Sequence, residues 1–360
     1  KENRFKFEPI FLFKVLPLEL HFQLSFMFTA KEISEINALL VPENNIVIVT
    51  HHNPDGDAIG SSLGLKHYLK TKGIEATVIV PNDFPKFLKW MPEAKKIVIA
   101  DYKRKVAGEA IYNADVIFCL DFNSPTRIGL LGDWVTKAKA KKILIDHHQM
   151  PEKFDYVYSD TTIPATCQMV YHFIQENHDE KSVNLDIAQC LYTGIMTDTG
   201  GFRFRSTSAS THRIVADLIE KGADPAVITS NTWDTNTISR LHLLSLVLSR
   251  IELTKDGKVA ILWLKCAELK EYGFDKGDTE GFVNYGLSVL GTKMAVFFME
   301  DLYEEFIKIS FRSKDAVDTN QFARKHFNGG GHINASGGKY FKSMEETIED
   351  FKEKIEAEEF

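Results

Sequence analysis

Residues 45–61, NIVIVTHHNPDGDAIGS, run from an apolar β-branched segment through a charged turn into a helix. The segment 45–50 carries Ile and Val at successive positions without polar alternation, which predicts a strand buried on both faces. Pro54 and Gly56 force a sharp turn around Asp55 and Asp57. A helix is predicted from about Asp57 to Lys72, stopping at Gly73. Open parallel sheets place ligands just beyond the carboxyl ends of their strands, and this turn lies there.

The same grammar repeats downstream. ATVIV (76–80), KIVIA (96–100), DVIFCL (115–120) and KILID (142–146) are short runs rich in Val and Ile. Such strands, separated by helices, predict an α/β fold with a doubly wound, mainly parallel sheet covered on both faces. Helical patterns then dominate at Ala165–Asn177, Leu185–Thr197, Ser208–Lys221 and from about Thr237 to Leu253. VAILWLK (259–265), MAVFFMED (294–301) and EFIKISFR (305–312) read as strands, the last two close enough for a hairpin. In the last, Ile307, Ile309 and Phe311 share one face, and Lys308, Ser310 and Arg312 the other. A helix at Thr319–Phe327, a glycine cluster read as a loop, a strand at Lys339–Phe341 and an amphipathic helix follow. The division predicted is an extension over 1–28, a first domain over 29–215, a helical linker over 216–250 and a smaller mixed α/β domain over 251–360. No internal repeat or low-complexity tract interrupts it.

The chain has 360 residues, 44% apolar, which excludes disordered and collagen-like classes and suits two domains. Its formal charge of -7 argues against a protein that coats duplex DNA. An anionic substrate then needs a local positive field from metal ions or a few arginines. Cys119, Cys167, Cys190 and Cys266 show no metal-ligand spacing and read as thiols in a reducing cytosol. Residues 9–28 are apolar but contain Lys14, Pro17, Glu19 and His21, so their insertion energy sums to about zero. Lys14 also breaks a signal-peptide reading. Thr29-Ala30-Lys31-Glu32 reads as a capping box opening a helix over Ala30–Leu40, with Ile33, Ile36, Leu39 and Leu40 on one face. Residues 1–26 therefore read as an upstream extension, such as a start codon placed too early would give, with a membrane anchor the minority reading.

Four segments carry titratable side chains at the tips of separate elements. His51, Asp55 and Asp57 lie within seven residues and would repel and desolvate badly without cations. Helix capping by Asp57 and a turn role for Asp55 would explain single residues but not the set. Asp121 follows DVIFCL, Asp146-His147-His148 closes the next strand, and Asp198 precedes two glycines at a helix end. Taken one at a time, Asp121 and Asp198 would be turn or capping residues. Oxygen ligands with some imidazole and no thiolate suit Mn²⁺ or Mg²⁺ better than structural zinc. In the second domain, Gly329-Gly330-Gly331-His332-Ile333-Asn334-Ala335-Ser336 could offer backbone N–H groups and two polar side chains to an anion. By composition alone it is a flexible turn, and Arg312 a surface arginine.

HHNPDGDAIGS (51–61), DFNSPTR (121–127), DHH (146–148), TDTGGF (197–202), FRS (311–313) and GGGHINASG (329–337) resemble, in order, the motifs of the DHH phosphoesterase superfamily. The last two match its DHH-associated C-terminal domain. The resemblance spans about residues 30–345 and is strongest to the stand-alone nanoRNase type, which degrades short oligoribonucleotides and dephosphorylates adenosine 3′,5′-bisphosphate (pAp). The glycine-rich ending separates it from family II pyrophosphatases, and the lack of an added oligonucleotide-binding domain from RecJ-type exonucleases. The resemblance implies a two-metal hydrolase using Mn²⁺, with Mg²⁺ or Co²⁺ as substitutes. His51, Asp55 and Asp121 would hold one ion; Asp57, Asp121, His147 and Asp198 the other, with Asp121 bridging. His52 stands where the motif is variable, and His51 is taken as the ligand from its position four before Asp55. His148 would face the substrate phosphate. Arg312, Gly330, Gly331, His332 and Ser336 would grip the far phosphate or nucleotide.

The substrate implied is short single-stranded RNA, cut in a 3′–5′ exonuclease-like manner, or a mononucleotide bisphosphate. Neither duplex DNA nor a membrane is expected as partner; a homodimer is allowed, and the location implied is cytoplasmic. Linear or cyclic dinucleotides (pApA, cyclic di-AMP) are the second enzyme reading and polyphosphate a weaker third. A nucleotide sensor on a dead hydrolase fold would lack a metal ligand, and every ligand position is filled here.

Overall fold

The computed structural model describes residues 28–358. Statements about residues 1–26, including the extension and the anchor, lie outside that range. Among the described residues, no helix is long and apolar enough to cross a membrane.

The first domain runs α1 (Ala30–Leu39), β1 (Ile46–Val49), α2 (Gly56–Thr71), β2 (Ala76–Val80), β3 (Val98–Ile99), α3 (Arg104–Tyr112) and β4 (Val116–Leu120). It continues through α4 (Leu131–Lys137), β5 (Lys141–Asp146), β6 (Tyr156–Ser159), α5 (Thr166–Glu176), α6 (Leu185–Asp198) and α7 (Ala209–Glu220). Its sheet has the order β3-β2-β1-β4-β5-β6 with every pairing parallel. The strand order reverses between β1 and β4, which opens a crevice at their carboxyl ends.

Two-sided burial follows from β1 and β4 residue by residue. Ile46, Ile48, Val116, Phe118 and Leu120 join the core beneath α1, α2, α5 and α6. Val47, Val49, Ile117 and Cys119 point the other way, into the core beneath α3 and α4. Thr29 caps α1, its hydroxyl accepting from the Glu32 N–H while the Glu32 carboxylate takes the Thr29 N–H at 2.8 Å. Phe28, one residue outside the predicted start, is buried between Tyr158 and Phe173, so the fold begins before the cap.

Helix α2 packs against α6 at unusually short range. A Cβ on Gly60 would lie 2.5 Å from the Cys190 carbonyl, and one on Gly194 3.0 Å from the Asp57 carboxylate. With Gly56 and Gly64, Gly60 forms a smooth stripe at four-residue spacing, which sets the N-terminus of α2 against the C-terminus of α6.

Helices α8 (Pro225–Thr232) and α9 (Ile238–Ser249) lead to the second sheet. Its elements are β7 (Glu252–Leu253), β8 (Val259–Leu264), α10 (Cys266–Glu271), α11 (Phe282–Leu287), β9 (Met294–Glu300) and β10 (Ile307–Ser313). Then come α12 (Thr319–His326), β11 (Gly330–His332), β12 (Ala335–Tyr340) and α13 (Met344–Glu356). The order is β11-β12-β10-β9-β8-β7, antiparallel except for β8 with β9. Ile307, Ile309 and Phe311 pack into the core with α12 and α13. Lys308, Ser310 and Arg312 line an open cavity on the other face.

Several elements differ from the sequence reading. KIVIA yields only the two-residue edge strand β3, because Ala94–Lys96 turns as a 3₁₀ helix first. The predicted helix to Leu253 stops at Ser249, and Glu252–Leu253 instead pairs with β8. The glycine cluster is not a free loop: Gly330–His332 is a strand paired with Ala335–Gly337. Strand β6 carries no long apolar run and was not expected.

Candidate metal centre

The turn after β1 presents its groups through local constraints. Asp55, not Asp57, caps α2, its Oδ1 accepting from the N–H groups of Asp57 and Ala58 at 3.0 and 3.1 Å. Asn53 takes φ 57, a left-handed conformation that Asn tolerates. It is fixed by a reciprocal pair with Asn82: the Asn53 N–H donates to Asn82 Oδ1, and Asn82 Nδ2 donates to Asn53 Oδ1.

Asp121, at the end of β4, also has positive φ, 64. This costs about 1 kcal/mol or more for a residue that is not glycine, and is tolerated where the surroundings fix it. Its two oxygens address different imidazoles: Oδ2 lies 3.4 Å from His51 Nε2 and Oδ1 3.4 Å from His147 Nε2. Both rings are oriented from behind. His51 Nδ1 is 3.0 Å from the His52 carbonyl and His147 Nδ1 3.2 Å from the Ile163 carbonyl. With Nδ1 turned to a backbone carbonyl, each Nε2 is aimed at the carboxylates, where it holds a proton without a metal and would offer its lone pair to one, the orientation of metal-ligating histidines.

The remaining predicted ligands close around these two rings. His51 Nε2 lies 3.8 Å from Asp55 Oδ1. His147 Nε2 lies 3.8 Å from Asp57 Oδ2 and 3.5 Å from Asp198 Oδ2. Donor atoms of His51, Asp55 and Asp121 all fall within 4.8 Å of one another, as do those of Asp57, Asp121 and His147. The first expected set and three of the four residues of the second are thus brought together around Asp121, and Asp198 joins through His147.

Electrostatics strains this cluster. Burial, then Asp121 and Asp198, push the Asp57 carboxyl well above the usual range. Burial, with Asp55 and Asp121, raises Asp198 to about 7. Burial would lower His51, but hydrogen bonds to Asp121 and Asp55 outweigh it and push it up to about 10. Asp198 also ends α6, where the helix dipole disfavours negative charge. Carboxylates and imidazoles packed this way fit divalent cations, which remove the repulsion and use every Nε2; the absence of thiolate matches a hard ion.

Three features were not legible as site residues. Helix α5 starts at Thr166 with Ala165 at its cap, which has no capping side chain. Asp57 supplies the cap from another element, accepting from the N–H groups of Thr166 at 2.6 Å and Cys167 at 2.8 Å. Thr166 Oγ1 in turn donates to Asp121 Oδ1 at 3.1 Å. The only hint in sequence is a helix lacking its own cap. Asp146 bonds His148 Nδ1 at 2.7 Å and orients that ring, while its Oδ2 is buried without a hydrogen-bond partner among the described residues.

The second domain reaches the cluster through His332. Its ring stacks on His148 at 4.3 Å between centroids and lies 4.7 Å from His147. Arg312 is half-buried and lines the open cavity beside β10. The glycine strand contributes less than expected. The Gly331 N–H donates to Asn320 Oδ1 at 3.0 Å, and the Ser336 hydroxyl donates to the Thr319 carbonyl at 2.8 Å. Both protons expected to meet an anion are committed to holding β11 and β12 against α12.

Residues 45–195 match the N-terminal domain of the DHH family and residues 256–358 the DHHA1 domain. A Thermus thermophilus protein named bifunctional oligoribonuclease and PAP phosphatase NrnA is 34% identical over 296 residues, 82% of this chain and 84% of that protein. A Bacillus subtilis protein of the same name is 27% identical over 303 residues, 83% of this chain and 90% of that one. The crystal structure of an exopolyphosphatase-related protein from Bacteroides fragilis matches with a TM-score of 0.87 at 40% identity, covering 91% of this chain and 96% of that one. With its strand-end carboxylates, its DHH segment at 146–148 and these full-length relatives, the chain belongs to the DHH family.

Proposed function

We infer that this chain is a metal-dependent phosphoesterase that hydrolyses short oligoribonucleotides and pAp, with Mn²⁺ as its preferred ion. The observation that carries the reading is Asp121, whose two oxygens each face the Nε2 of a different, backbone-oriented imidazole. That geometry suits divalent cations: His51, Asp55 and Asp121 would hold one, and Asp57, Asp121, His147 and Asp198 a second. Two divalent cations in such a site supply Lewis-acid charge to phosphoryl oxygens and lower the pKa of water. Asp146 keeps the His148 ring fixed at Nδ1, so its Nε2 meets a substrate oxygen. Arg312 and His332 bind the substrate phosphate or nucleotide from the second domain, His332 beside the His147 and His148 rings and Arg312 from the cavity along β10. The names borne by the Thermus and Bacillus relatives support this substrate class.

The test is hydrolysis by the purified full chain with Mn²⁺, Mg²⁺ or Co²⁺. The substrates are pAp, a labelled di- to pentaribonucleotide ladder, cyclic di-AMP and polyphosphate. The reading expects turnover of pAp and of the short ladder, fastest with Mn²⁺ and abolished by EDTA. Activity confined to cyclic di-AMP or polyphosphate would overturn it.

A further inference from the structure

Histidines from both domains converge beside the carboxylate cluster. The ring centroids of His147 and His148 lie 4.9 Å apart, and His332 comes to 4.7 Å from the first and 4.3 Å from the second. One ring nitrogen from each falls within 4.8 Å of the other two. His147 and His148 offer Nε2 there, since Nδ1 of His147 faces the Ile163 carbonyl and Nδ1 of His148 meets Asp146 Oδ1 at 2.7 Å. A carboxylate behind an imidazole is the arrangement that orients a metal-bound histidine and raises its basicity. His332 enters half-buried on β11, and among the described residues no hydrogen bond holds its ring.

This donor set differs in kind from the two carboxylate-rich groups around Asp121. Three imidazole nitrogens suit zinc, whereas carboxylates with one imidazole suit manganese, and at nitrogen donors zinc binds more tightly than manganese. Zinc–nitrogen bonds are about 2.0–2.1 Å, so ring movements of roughly 1 Å seat one ion among all three histidines. Asp121, Asp146 and His148 also lie close together, but there Asp146 spends Oδ1 on the His148 ring as a hydrogen bond. His147 cannot serve two ions. Its Nε2 has a single lone pair and already faces Asp121 at 3.4 Å, Asp198 at 3.5 Å and Asp57 at 3.8 Å.

We propose that His147, His148 and His332 form an inhibitory Zn²⁺ site, occupied in competition with the cation at Asp57, Asp121 and Asp198. An ion held there withdraws His147 from the carboxylates and fills the place where His148 and His332 meet a phosphate. It also ties the two domains together, because His332 is its one ligand from the second. The inhibition rests on the phosphoesterase reading, while the site itself rests only on the three rings.

The test uses the full chain and its His332→Ala variant, which leaves both carboxylate groups intact. Zn²⁺ affinity is measured in saturating Mn²⁺ by competition with a chromophoric zinc chelator, and Mn²⁺ affinity by titration calorimetry. Inhibition by Zn²⁺ is followed on bis-p-nitrophenyl phosphate, an ester too small to need His332. The variant should bind Zn²⁺ about a hundredfold more weakly, at the upper end of what losing an outer-shell partner costs, since a direct ligand is removed. The Zn²⁺ concentration for half inhibition should rise by a similar factor, with Mn²⁺ affinity unchanged. Equal Zn²⁺ affinity in the two chains would overturn the site, as would equal inhibition, which places zinc at the carboxylates instead. A parallel loss of Mn²⁺ affinity would also overturn it, by showing that the variant disturbs the carboxylate groups. If the wild type hydrolyses neither this ester nor pAp, the phosphoesterase reading fails while the chelator competition still decides the site.

Discussion

At the scale of single residues, Asp121 and Asp57 each do two jobs. Asp121 divides its oxygens between two imidazoles, and Asp57 both caps α5 and faces His147. Without cations these carboxylates repel, since Asp57 and Asp198 are both raised by burial and by their neighbours. Binding that favours the folded state stabilises it by about 2.7 kcal/mol at a hundred times the dissociation constant. Mn²⁺ should therefore raise the melting temperature of the wild type, measured by calorimetry. Asp57→Ala should show a smaller rise and lose more than a hundredfold in turnover, beyond what supporting residues of a metal site typically cost. An equal rise and full activity would remove Asp57 from the ligands. The residue types and spacings near β1, β4 and β5 were readable because strand ends are readable. The Asp57–Thr166 cap was not, since its partners are 109 residues apart.

At the scale of elements, the glycine stripe of α2 fixes where two ligands meet. Gly60 faces the Cys190 carbonyl of α6, and the same helices end at Asp57 and Asp198. Gly60→Ala should push the helices apart, costing about 1–3 kcal/mol in chemical denaturation. Mn²⁺ affinity should fall with it, although no ligand is touched. A variant of wild-type stability would show that the contact yields freely. A separate cluster ties α2 to the turn before β3. The largely buried Glu93 accepts from Lys96, Lys70 and Lys66, and these bonds hold its carboxyl well below the usual range. A folded-state pKa below the unfolded one means stability that is present above about pH 4.5 and lost as pH falls further. Glu93→Gln should cost roughly 1.5–3 kcal/mol at pH 7, as for hydrogen bonds to charged groups. The gap from wild type should narrow progressively in denaturation as pH falls below about 4.5. A gap independent of pH would assign the loss to packing.

At the scale of the whole molecule, the site is assembled from two domains. His332 stacks on His148, Asn320 Nδ2 meets Gln149 Oε1 at 3.4 Å, and Lys86 pairs with Asp275 at 2.6 Å across the cleft. Losing one charge-assisted contact to a phosphate costs about 1.5–3 kcal/mol, roughly ten- to a hundredfold in kcat/KM. Arg312→Ala and His332→Ala should lose that much on pAp and short RNA while still binding Mn²⁺ in titration calorimetry. On bis-p-nitrophenyl phosphate, too small to span the domains, they should lose much less. Equal losses on every ester would place these residues at the cations rather than at the far end of the substrate.

The sequence by itself determined the parallel sheet, the second strand-rich domain and the inventory of ligands. Short β-branched apolar runs alternating with helices suit strands buried on both faces, and titratable residues at several strand ends share one edge of such a sheet. Tertiary structure alone decided which oxygen of Asp121 faces which imidazole, that Asp57 caps a distant helix, and that Asn320 and Thr319 engage the Gly331 N–H and the Ser336 hydroxyl. It also set Lys308 opposite Lys339. Those pairings depend on strand register and on helices brought together by long-range packing, and neither spacing nor periodicity along one chain encodes them.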